Sequence, residues 1–216
     1  MRRQRESPAA PRATYTEWWW PPSPTIYRTI PGGYRSFEHV LVVEVEPAPG
    51  AAYVWAHTFR LLGGDGGHLG LEVGTEGGRD DRTAVFSIPG ADVCRIPYRW
   101  EVGRAYDLQL WTDGGGRWSA GVGDGAGGES LIGRIQVPAE WRRLAGTSVM
   151  STEYRGGSLA RCADLPPSRV TFSPPTADAG TVHPVRHENR LGPGTCPGST
   201  VEVTTDGLRH VMGGPT

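Results

Sequence analysis

Apolar residues recur at every second position in short runs, and each run stops at glycine, proline or an Asp-Gly pair, the pattern of β-strands joined by tight turns. Over residues 39–47, Leu41, Val43 and Val45 fall on one face and Val42, Glu44 and Glu46 on the other. A longer strand over residues 51–62 sets Tyr53, Trp55, His57 and Phe59 on one face, an aromatic stripe holding one imidazole. Gly63-Gly-Asp-Gly-Gly then turns the chain. Residues 68–73 follow as the hairpin partner, alternating His68, Gly70 and Glu72 against Leu69, Leu71 and Val73, and the reading places His57 and Glu72 on one face.

Further strands are expected over residues 82–89, 106–111, 117–122, 130–137, 146–154 and 169–172, and a hairpin over 200–211 turns at Asp206-Gly207. In Tyr15-Thr-Glu-Trp-Trp-Trp-Pro-Pro the proline pair forbids helix, so Trp18 and Trp20 point one way from an extended strand and Trp19 the other. Trp100, Trp111 and Trp118 read as core. Residues 138–145, with proline at the start, are the one expected helix, about two turns long. The fold class that follows is an all-β antiparallel β-sandwich, jelly-roll or concanavalin-like, with minimal helix. Residues 1–13 read as a disordered tail, 14–175 as the sandwich, and 176–216 as a Pro/Gly-rich extension whose hairpin packs on the domain.

Composition narrows the chemistry. Glycine (32) and proline (19) make up about a quarter of the 216 residues, which excludes a helical bundle. All 22 basic residues are arginine against 23 acidic ones, so lysine Schiff-base chemistry and a P-loop lysine are excluded, and a net charge of −1 speaks against a nucleic-acid groove. No window is apolar enough for a membrane span. The expected partner is a small molecule or a sugar, with no nucleic acid and no membrane, and no cofactor or metal is called for. The charged start Met1-Arg-Arg-Gln-Arg lacks the apolar run of a secretory signal, so the chain reads as cytoplasmic as written and as secreted if a leader was removed. Of Cys94, Cys162 and Cys196, the last two occupy Pro/Gly-rich loops and are expected to lie close enough for a disulfide, leaving Cys94 a structural thiol.

Gly66-Gly-His-Leu-Gly-Leu-Glu, then Thr83-Ala-Val-Phe-Ser-Ile, then Tyr98-Arg-Trp-Glu-Val-Gly-Arg-Ala-Tyr, with Thr152-Glu-Tyr-Arg-Gly-Gly late in the chain, together resemble a bacterial family, domain of unknown function 3472, over residues 15–175. The resemblance implies a lectin-like β-sandwich often found in exported proteins, and implies no reaction. His68 stands where that family has an aromatic, Glu72 where it has an amide, and Pro89-Gly90 where it has Trp-Asp.

Candidate chemistry centres on the aromatic stripe. His57 oriented by Glu72 would serve as a general base, and with His68 the two would form a two-His, one-carboxylate metal set, against which the plain reading is a hydrogen-bonded core imidazole. Glu153, next to Tyr154 and before Arg155-Gly-Gly, is a second carboxylate for ligand hydroxyls or catalysis. Tyr53, Trp55, His68, Trp20, Tyr154 and Arg82 complete the expected ligand-binding set. Three functions compete: a binder of a small ligand or carbohydrate on an aromatic face; a cofactor-independent cyclase or isomerase with His57 and Glu72 moving a proton; and a glycoside hydrolase or lyase using Glu72 and Glu153. Enzyme and binder both stay open at this point.

Overall fold

The computed structural model describes residues 13–21, 32–74 and 81–213. Sixteen strands follow in order: β1 (Ala13–Trp19), β2 (Gly32–Tyr34), β3 (Ser36–Val43), β4 (Tyr53–Leu61), β5 (Gly66–Val73), β6 (Arg82–Ile88), β7 (Asp92–Pro97) and β8 (Ala105–Thr112). The second half adds β9 (Arg117–Gly123), β10 (Glu129–Gln136), β11 (Leu144–Tyr154), β12 (Ser168–Phe172), β13 (Thr176–Ala177), β14 (Arg186–Leu191), β15 (Thr200–Val203) and β16 (Leu208–Met212). They form two antiparallel sheets. Sheet A runs β14-β1-β11-β4-β5-β6-β7 with β2 also on β11, and sheet B runs β10-β9-β8-β3-β12-β16-β15 with β13 on β3. The expected antiparallel sandwich is what forms.

Its core lies between the sheets. Trp55, Phe59, Leu69, Leu71 and Phe86 of sheet A meet Phe37, Leu41, Leu108, Trp118 and Phe172 of sheet B, all at 2% exposure or less. The Trp55 indole Nε1 donates to Ser168 Oγ (3.0 Å) and Thr16 Oγ1 pairs with His210 Nε2 (2.9 Å), two polar pairs that tie the layers together. Trp18 and Trp20 are buried, whereas Trp19 faces outward under the Arg186 guanidinium, 4.7 Å from its ring.

Gly70 shows why β5 is glycine-rich. A Cβ there would collide with the Trp55 carbonyl oxygen and come within 2.8 Å of Ala56 Cα, which are backbone atoms that cannot swing away. Gly70→Ala is therefore expected to push β4 and β5 apart at a cost of about 1–3 kcal/mol, read as a lower midpoint in urea.

Three expectations need correction, and some strands went unread. The helix over 138–145 does not form; Trp141 N donates to the Pro138 carbonyl in a single turn and β11 begins at Leu144, because pairing with β2 and β4 outweighs a two-turn helix that cannot offset its own nucleation. Among the described residues the one helical turn is a 3-10 turn at Cys162–Asp164. Trp111 is not core; it is 39% exposed on the outside of sheet B. Four strands went unread: β7 and β14, the two edges of sheet A with few buried side chains, and the two- and three-residue strands β13 and β2, too short to show alternation. The tail expected over residues 1–13 is too long by one, since Ala13 is buried in β1, and residues 1–12 lie outside the described residues. Cys162 and Cys196 are joined, with Cα atoms 5.3 Å apart.

Candidate functional site

In an antiparallel pair, residues directly opposite share a face, and the β4–β5 register settles which residues meet. Odd-numbered residues of β4 pair with odd-numbered residues of β5: Tyr53 with Val73, Trp55 with Leu71, His57 with Leu69. Val54 pairs with Glu72. His57 thus points into the sandwich and Glu72 out of it, and the expected His57–Glu72 pair, with the metal set built on it, does not exist.

His57 is fully buried, its ring 4.1 Å from Phe37 and 5.0 Å from His39, and neither imidazole has a hydrogen-bond partner at either nitrogen. Burial holds His39 down to about 3 and His57 well below its usual range, so both are neutral. Tyr53 and Trp55 are stacked 5.9 Å apart in the same interior layer, where burial raises the Tyr53 phenol. Trp20 donates to Ser148 Oγ (3.3 Å) beside a void of about 10 Å³, room for one water at most. Arg82 donates to the Trp100 carbonyl (2.5 Å), covers the Trp100 ring and pairs with Glu46, closing one end of the core. Tyr154 packs edge-on against Tyr53. Arg82 also borders an open hollow of about 550 Å³ with Asp81, Pro97, Arg99, Trp100 and Glu101, away from the other predicted site residues, and none of those others lines a ligand-sized cavity.

The outer face of sheet A gathers the rest. One row across it reads Ala13, Glu153, Val54, Glu72, Thr83, and the next reads Tyr15, Ser151, Ala56, Gly70, Val85, Arg95. A third holds Glu17, Val149, Thr58, His68 and Ser87. Glu72 and Glu153 therefore stand on one side of the sheet, flanking Val54, with Cα atoms about 10 Å apart at two strand spacings. The floor between them is small and buried: Val54, Ala56, Gly70, Val85 and Ser151.

Each polar group on this floor is held differently. Glu72 is 2% exposed, accepts from Arg95 Nε (2.6 Å) and Thr83 Oγ1 (2.9 Å), and is fixed in place. The Glu153 side chain is 15% exposed and accepts from Arg155 at 2.5 Å. His68 Nδ1 shares a hydrogen bond with Ser87 Oγ (2.9 Å), and burial followed by the Arg155 charge lowers its pKa, leaving a neutral ring. Burial and then the Glu153 charge raise the Tyr15 phenol. The Ser151 hydroxyl, buried on the floor beside Glu153, has no hydrogen-bond partner. A buried, unmatched hydroxyl costs on the order of 1–3 kcal/mol.

Of the expected site residues, the structure brings together Glu72, Glu153 and His68, and separates them from Tyr53, Trp55, His57, Trp20, Tyr154 and Arg82. Arg95, Arg155, Thr83, Ser87, Ser151 and Tyr15 were missed. Thr83 and Ser87 were within reach of the alternation in β6, but Arg95 lies on an edge strand that showed no pattern. No helix among the described residues is long and apolar enough to cross a membrane.

The fold defines a class, a sandwich of two large antiparallel sheets, and solved structures share it nearly end to end. Scytalido-glutamic peptidase with a transition-state analogue inhibitor superposes with a TM-score of 0.57 at 8% identity, over 94% of this chain and 98% of that one. SCP-B, an eqolisin-family peptidase in complex with the tripeptide Ala-Ile-His, gives a TM-score of 0.58 at 8% identity over the same shares. A carbohydrate-binding module from Bacillus subtilis, CBM66, overlaps 58% of this chain and 73% of its own with a TM-score of 0.34, too low for any inference. No protein-family profile and no curated protein matches the chain in sequence. At these identities the likeness shows the fold.

Proposed function

We propose that the outer face of sheet A binds and hydrolyses a peptide chain, with Glu153 as general base and Glu72 as the fixed partner across the floor. The observation that carries this reading is the placement of two glutamates in one row, on one face, over small buried residues that include the unmatched Ser151 hydroxyl. Glu153 is the carboxylate open to a water molecule. It would take a proton as water attacks the amide carbon and return it to the leaving nitrogen. Arg155 sits where it can balance charge developing beside Glu153, while Arg95 and Thr83 hold the Glu72 carboxylate in a fixed orientation. That proteins of this fold bearing the name glutamic peptidase bind peptide-based analogues supports peptide as the substrate class.

A glycoside-cleaving reading rests on the same two carboxylates, whose strand spacing is near the range of inverting enzymes. Carbohydrate binding on an aromatic face has less support on this side of the molecule, because Tyr53 and Trp55 face inward. One experiment separates these readings. The protein is incubated at neutral pH with a mixed library of quenched fluorescent peptides and, in parallel, with neutral β-glucan oligosaccharides, and products are read by mass spectrometry. Peptide cleavage that falls at least about 100-fold in Glu153→Gln, with the melting temperature unchanged, is expected. Cleavage of the oligosaccharides instead, no cleavage of either, or full activity in Glu153→Gln overturns the proposal.

A further inference from the structure

The outside of sheet B carries a second feature, unconnected with the glutamate face. Along β8, Asp107, Gln109 and Trp111 point outward, while Leu108 and Leu110 point into the core. Opposite them on β9 stand Gly123, Gly121 and Ser119, and beyond these on β10 stand Glu129, Leu131 and Arg134. The two glycines leave a trough of about 230 Å³ between β8 and β10, walled by Trp111 and Gln109 on one side and by Leu131 and Glu129 on the other. The indole leans over Gly121, where a Cβ would lie 3.4 Å from its ring atoms, so its other face is open to solvent. Trp111 at 39% exposure and Leu131 at 43% make an exposed apolar pair on this face.

We propose that this trough docks a peptide segment bearing arginine or lysine, with the cation lodged between Asp107 and Glu129 over Gly123 and the adjoining chain stacked on Trp111. Charge complementarity selects this occupant. Asp107 faces Glu129 across Gly123 and Glu38 lies one row away on β3, so three carboxylates gather at this end of the trough and none of these three forms an ion pair among the described residues, whereas Glu44 and Glu202 farther along the sheet pair with Arg209. Burial, then Glu38, then Glu129 raise the Asp107 carboxyl above its usual range, a repulsion that an arriving cation relieves. Glu38 accepts one hydrogen bond, from Thr176 Oγ1 (3.0 Å). Arg134 stands in the Trp111 row and Arg117, paired with Asp113, lies beyond it, so the cations beside the trough sit at its far end and set the direction in which a basic segment would lie. A guanidinium or ammonium also gains from the indole face, which a neutral sugar would use only through its C–H groups.

The test is calorimetric titration of the purified full chain with tri-arginine amide at low salt, alongside a neutral oligosaccharide. Saturable binding is expected, weaker at high salt and weakened about fivefold or more in Trp111→Ala and in Asp107→Asn. Trp111→Ala removes an exposed side chain, and circular dichroism confirms that both variants fold. Glu153→Gln is expected to bind as tightly as the parent, which separates this trough from the glutamate face. Absence of binding, binding indifferent to Trp111→Ala, or preference for the oligosaccharide overturns the assignment.

Discussion

Acidification from pH 7 to 4.5 is expected to unfold most of this protein at ambient temperature. The cause is the set of imidazoles sealed in the sandwich: His39 and His57 against Phe37, and His210 between Phe172, Thr16 and Thr152. Burial holds His39 and His210 to about 3, against 6.5 when the chain is unfolded. Between those values the unfolded state binds more protons than the folded one, so stability rises with pH throughout that window. It is therefore complete above about pH 6.5 and drains as pH falls toward 3, at about 1.4 kcal/mol per pH unit for each ring. At pH 4.5 these two rings alone remove about 5 kcal/mol, comparable with the whole stability of a domain, and His57 acts in the same direction. Thermal melts at pH 7, 6, 5 and 4.5 will show it as a steep fall in Tm, with a shallower fall in His39→Leu. A level Tm down to pH 4.5 would remove the argument. Any reaction on the glutamate face must accordingly be sought near neutrality.

Loss of the Cys162–Cys196 bond should have the next largest effect. The bridge spans 34 residues, so chain-entropy reasoning assigns it about 3–4 kcal/mol, or a Tm lower by about 10 °C in Cys162→Ser/Cys196→Ser. The enclosed segment includes β12 of sheet B and β14 of sheet A, so the bridge limits how far the closing strands of the two layers can separate. A double variant that melts within 2–3 °C of the parent would show that strand pairing alone holds this segment.

Strands with one dry face announced themselves, as Leu41 and Val43 did in β3, because burial imposes alternation. The edge strands of sheet A escaped notice, since β14 exposes nearly every side chain and leaves no alternation to read. The cysteine pairing was legible from loop chemistry. What went astray was parity across a turn. His57 and Glu72 share a hairpin, but counting through the Leu61-to-Gly66 turn puts an odd residue opposite an odd one, and the assumed pair fell on opposite faces. Trp111 failed for a similar reason: it has the parity of Asp107 and Gln109 and not that of Leu108 and Leu110, and bulk prevailed over position in the reading. The Glu72–Glu153 pairing lay beyond any local pattern, since 81 residues separate them and only the β11–β4–β5 order brings them to one row.

That same strand order fixes a timetable for synthesis. β1 is made first among the described strands, yet its two neighbours are β11 and β14, which begin at Leu144 and Arg186. A ribosome must therefore deliver most of the chain before Thr14, Thr16 and Trp18 can leave water, and until then an aromatic strand with both edges unpaired waits beside the growing hairpins. Closing such distant pairs is slow, because the entropy of a long loop must be lost before the contacts that reward it form. The amino-terminal strand sets the pace of folding, and overexpression that outruns it will fill the insoluble fraction with chains whose meander β4–β7 is already built.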